Sequence, residues 1–111
     1  MLRDPRLYLE DIVTACRRIR GYTAGMTLET FTKDDKTQDA VVRNLEIVGE
    51  AAKQLPDVVT NAMPSVPWRE VRGFRDILAH KYFGVDYAIV WDAIATELPS
   101  LEAAVVDYLR S

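Results

Sequence analysis

The segment from 36 to 55 constrains this chain more than any other. Val41, Leu45, Val48, Ala52 and Leu55 recur at spacings of 4, 3, 4 and 3. That is the period of a helix with one apolar seam, and the seam must be covered by other helices. Pro56 stops the helix, because the residue before a proline is pushed out of the helical region. Gly49 lies inside it and costs about 1 kcal/mol against alanine. Its presence predicts close backbone approach by a neighbouring element.

The remaining segments supply the neighbours. Asp4 can cap a first helix and Pro5 suits its first position. Leu9, Ile12, Cys16 and Ile19 then form an apolar stripe, with Gly21 and Gly25 bracketing its end. Thr27 opens a short segment as a single cap. Residue 30 is threonine where a full capping box would take Glu or Gln. Pro56, Pro64 and Pro67 mark a loop with one helical turn, and Pro67 launches a helix from Trp68 to about Phe83. Gly84 ends that helix, and Asp86 caps another carrying Tyr87, Val90, Trp91 and Ile94. Pro99 breaks or kinks this one, and a last piece turns Leu101, Val105 and Tyr108 or Leu109 inward. No alternating strand pattern and no repeat occur. The expected fold is all-α, a four- to five-helix bundle formed by one domain over 1–111.

Composition narrows the function. The chain has 111 residues, 49% hydrophobic and 28% charged, with a net charge of −3. These values fit one folded core and exclude a disordered chain. One cysteine, Cys16, excludes an internal disulfide, and with one histidine a single-chain zinc site is not expected. The N-terminal stretch has charges where a signal peptide needs an apolar core, and no apolar run reaches membrane-spanning length. A cytoplasmic location is expected. Residues 68–82 and 1–20 each carry an excess of +2, leaving −7 elsewhere. A local basic patch of this size can hold a few phosphates.

The chemistry concentrates in RGFRDILAHKYFG, residues 72–84, which holds the one histidine. On a continuous helix Arg72, Asp76 and His80 fall at i, i+4 and i+8, so Asp76 can pair with both neighbours and orient the imidazole. Arg75 falls about 140° from His80. It reaches His80 by curling round, by deformation of the helix, or across a two-fold interface with a second copy. No phosphate-binding glycine loop, no nucleophile elbow and no carboxylate cluster for magnesium is present. Imidazole with guanidinium suits metal-free phosphodiester cleavage. Histidine moves the proton of a ribose 2′-OH, and arginine holds the phosphate in two-point contact. A C₂ dimer would bring a second histidine. The same residues also fit a structural role, in which Asp76 satisfies a buried His80 and the arginines form a solvated face.

RDILAHKY matches the R-x(4–6)-H-x-Y signature of the HEPN superfamily and resembles its HepT-like ribonuclease toxins. The resemblance continues through HKYFGVDYAIVWDAI and back to QDAVVRNLEIVGEAAKQLP at 38–56, and is weakest at 23–35. It implies a HEPN-like bundle that dimerises through the motif helix. It implies metal-independent, cofactor-free RNA cleavage by Arg75 and His80, with Asp76 and Arg72 in support. It also implies a toxin–antitoxin pair of type II or VII, in which an MNT-type nucleotidyltransferase antitoxin transfers AMP to Tyr82. Lys81, Arg69 and Arg43 are candidate RNA contacts. Arg17, Arg18 and Arg20 could extend the track, and Arg43 and Glu50 could frame the cleft. Rival readings are a non-catalytic helical module that is the partner or substrate of a nucleotidyltransferase, and a nucleotide-binding bundle.

Overall fold

The computed structural model describes residues 3–74 and 86–111. Those residues are helical throughout, joined by short turns, and among them there is no strand. Helix α1 spans Pro5–Thr23, α2 Leu28–Thr32, α3 Asp35–Lys53, α4 Asp57–Asn61 and α5 Trp68–Arg72. Helix α6 covers Tyr87–Asp92 and runs through a wide turn, Ala93–Glu97, into α7 at Leu98–Arg110. The all-α HEPN-like fold expected from the sequence is the fold observed.

Local chemistry sets most of the boundaries. The Asp4 side chain accepts the Arg6 N–H at 2.9 Å and Pro5 occupies the first turn of α1. The helix passes through Gly21 and closes at Thr23. Gly25 then takes φ +75, a left-handed conformation that glycine adopts without steric cost. At α2 the single cap expected from Thr27 is a reciprocal pair. The Thr30 N–H donates to the Thr27 hydroxyl at 3.2 Å, and the Thr27 N–H donates to the Thr30 hydroxyl at 2.9 Å. A threonine hydroxyl accepts from the cap as a glutamate would, so the missing Glu costs little. Asp34 caps α3 by accepting from the Thr37 N–H at 3.0 Å, and that bond holds its carboxyl below the usual range. Pro99, expected to break or kink the helix before it, lies in the first turn of α7. It has no N–H to continue the ladder, and the turn before it widens so that the Leu98 N–H reaches the carbonyl of Ala93, five residues back.

Three long helices frame the core. Helix α3 packs along α1 in the antiparallel sense, so that Arg3 and Tyr8 share a groove with Glu50 and Gln54. Helix α7 runs antiparallel to α1 on another side. Arg20 pairs with Glu102 at one end, and the Arg6 guanidinium donates to the Leu109 carbonyl at the other. Leu9, Ile12, Ile19, Phe31, Val41, Val48, Val90 and Val105 fill the space between them and are fully buried. Each contributes about 1.5–3 kcal/mol on burial. The seam expected on α3 is this core face: Val41, Leu45, Val48, Ala52 and Leu55 are all buried. Among the described residues no helix is long and apolar enough to cross a membrane.

Candidate functional site

Arg75, Asp76, His80, Lys81 and Tyr82 all fall within 75–85 and lie outside the described residues. What the structure defines is the frame on either side of them. The helix launched at Trp68 closes at Arg72, short of the expected Phe83. The Gly73 N–H bonds back to the carbonyls of Arg69 and Glu70 at 3.1 and 3.0 Å, and Gly73 turns the chain. Asp76 and His80, the other members of the stripe expected with Arg72, lie outside the described residues.

Residues 71–74 then settle onto α3. Gly49 presents bare backbone. A Cβ placed on it would lie 3.6 Å from the Val71 carbonyl oxygen, 3.7 Å from the Phe74 Cβ and 3.8 Å from the Arg72 carbonyl oxygen. This is the close approach that the mid-helix glycine predicted. Phe74, the last residue before Arg75, is 2% exposed. Arg72 also reaches back to α3. Its Nε donates to the Ala52 carbonyl at 3.3 Å, in the last turn of α3. On the far side of the motif, Asp86 caps α6 by accepting from the Ala88 N–H at 2.9 Å. The Tyr87 ring meets the Phe31 ring edge-on at 6.0 Å between centroids. The residues flanking 75–85, Phe74 and Tyr87, therefore pack against the core.

The other candidates are scattered over the surface. Arg69 is exposed on α5. Its neighbour Glu70 lies near the carboxyl of Glu97, which is held above its usual range by burial first and then by the charges of Asp92 and Glu70. Arg43 is exposed and lines an open groove of about 460 Å³ together with Arg3, Asp11, Glu46 and Glu50. Three carboxylates there face two guanidinium groups, a poorer setting for phosphate than an isolated arginine. Arg17 and Arg20 both reach Glu102, at 3.5 and 2.5 Å, and so join α1 to α7. Arg18 is exposed.

Sequence reasoning missed the Arg72–Ala52 contact, although a signal for it exists. In an uninterrupted helix the Ala52 carbonyl would accept from residue 56, and residue 56 is a proline with no N–H. The Leu55 N–H reaches the Ala52 carbonyl at 3.2 Å, and the Arg72 guanidinium donates to the same oxygen.

Comparison with known proteins agrees with the sequence resemblance. The family profile described as "Ribonuclease HepT-like" matches residues 12–107. A protein of Thermococcus cleftensis named "Probable ribonuclease HepT" is 44% identical over 102 residues, covering 92% of this chain and 93% of its own. A protein of Caldanaerobacter subterraneus subsp. tengcongensis named "Putative RNase TTE0752" is 43% identical over 109 residues, covering 98% of this chain and 97% of its own. No solved structure matches the chain.

Proposed function

We propose, for a chain that belongs to the HepT-like ribonuclease family, that it cleaves RNA without a metal or cofactor, using Arg75 and His80. The reading is carried by the sequence RDILAHKY at 75–82 within that family. Support comes from the anchoring of both flanks of this segment and from relatives named as ribonucleases.

His80 takes the proton from a ribose 2′-OH, and the 2′-oxygen attacks the adjacent phosphorus. The bond from phosphorus to the 5′-oxygen breaks, and the leaving oxygen collects a proton from water or a second acid. The products are a 2′,3′-cyclic phosphate and a 5′-hydroxyl. Arg75 holds the non-bridging oxygens and balances their growing charge. Asp76 orients the imidazole and favours its protonated form. Lys81, Arg69 and Arg43 contact the RNA backbone. One domain over 1–111 carries the activity in the cytoplasm, as a homodimer whose motif segments face each other. The protein is the toxin of a toxin–antitoxin pair. A nucleotidyltransferase antitoxin silences it by transferring AMP from ATP to the Tyr82 hydroxyl with loss of pyrophosphate. The added negative charge beside Arg75 then repels a substrate phosphate.

The test is RNA cleavage in EDTA by protein shown by mass to lack AMP on Tyr82. Cyclic-phosphate ends are expected. Arg75→Ala and His80→Ala should each lower the rate by at least about a hundredfold while the helical circular dichroism is unchanged. A folded variant that cleaves like wild type would remove the assigned role. Absence of cleavage by the unmodified protein would favour a non-catalytic partner of a nucleotidyltransferase.

A further inference from the structure

Two features hold the chain immediately before Arg75. Gly49 leaves the surface of α3 bare, so the backbone of Val71 and Arg72 and the Cβ of Phe74 come to within ordinary van der Waals distance of where a Cβ would stand. Arg72, at the end of α5, donates from Nε to the Ala52 carbonyl at 3.3 Å. That carbonyl belongs to the last turn of α3, where it also accepts the Leu55 N–H at 3.2 Å and the helix dipole favours a cation. Pro56 removes the donor that would have continued the ladder there. Gly73 turns the chain, and Phe74 is sealed into the core. Arg75 follows by one residue.

We infer that Arg72 is a positioning residue: seated beside Gly49, it locks residues 71–74 onto the end of α3 and so fixes the place from which Arg75 addresses the substrate phosphate. This deepens the ribonuclease reading above and rests on it. Arg72 in this role acts through α3 and touches no RNA. A reacting group displaced by about 1 Å can cost about a hundredfold in rate. Loosening the lock therefore lowers turnover more than substrate binding.

The test compares Arg72→Met, which keeps an apolar stem and removes the donor, with Arg72→Lys, which restores a cationic donor. Steady-state RNA cleavage and amide hydrogen exchange at residues 74–76 are measured on each protein at a temperature where circular dichroism shows it fully folded. Arg72→Met is expected to lower kcat by about tenfold or more with KM within about twofold. It should also raise exchange at 74–76, and Arg72→Lys should recover most of both. Unchanged kcat in folded Arg72→Met overturns the inference. A rise in KM at constant kcat also overturns it, because that pattern marks direct RNA contact. Failure of Arg72→Lys to do better than Arg72→Met overturns it as well. If unmodified wild type does not cleave RNA, the ribonuclease reading fails on its own. The exchange measurement then decides the positioning role, and unchanged protection in Arg72→Met refutes it.

Discussion

Cys16 shows how far a side chain's chemistry can be moved by its place in the fold. It sits on the buried stripe of α1, 2% exposed, near Glu102. Burial pushes its thiol from an ordinary 9.0 up to about 12, with the Glu102 charge adding to the rise and Arg20 opposing it. At pH 8 that leaves a thiolate fraction about a thousandfold below that of a free thiol. A disulfide reagent should therefore label Cys16 only after denaturation, and rapid labelling of the folded protein would contradict this environment. The sign of the linked stability follows from the raised value. The buried neutral thiol contributes fully below pH 9, where both states keep the proton. Its contribution erodes from about pH 9 to 12, as the unfolded chain ionises first. Arg72 bonds to the Ala52 carbonyl of α3, a partner that its expected spacing to Asp76 did not include, and Asp76 itself lies outside the described residues. Spacing along one helix does not register an acceptor on another.

Among the elements, α3 organises its neighbours. Its apolar seam faces the core and its glycine receives α5, and both features are visible in the sequence. The seat at Gly49 nevertheless has room for a methyl group, since the nearest atoms to an added Cβ lie at 3.6–3.8 Å. Gly49→Ala should raise unfolding stability by about 0.5–1 kcal/mol, through helix propensity and a less free unfolded chain. Chemical denaturation checks this, and a loss of stability would mean that α5 sits closer to α3 than these distances. The α5 boundary was misread for a physical reason. Glycine in a helical pattern is compatible both with continuation and with a C-terminal turn. What decides between them is the packing of Phe74 and the bond from Arg72.

For the whole molecule, the first and last helices are tied by charge as well as by core. Glu102, whose side chain is 13% exposed, receives Arg17 and Arg20, whose side chains are 59% and 65% exposed. Water around the exposed arginines screens much of that attraction, so Glu102→Ala should cost only about 1 kcal/mol. The loss should shrink in high salt. A loss independent of salt in denaturation curves would assign Glu102 a packing role instead. The same contacts redraw the charge map. Arg17 and Arg20 tie α1 to α7 through Glu102, which weakens the case for an RNA track along α1.

The sequence by itself determined the all-α class, the core face of α1 and α3, the capping aspartates and the family, because helical periodicity and caps are local properties of the chain. It also placed Arg75, His80 and Tyr82 in one short signature. Tertiary structure alone decided where α5 ends, that Arg72 serves α3, and that two arginines of α1 belong to Glu102. Each of these depends on an acceptor or a surface supplied by residues remote in the sequence, and no spacing rule along one segment encodes such a partner.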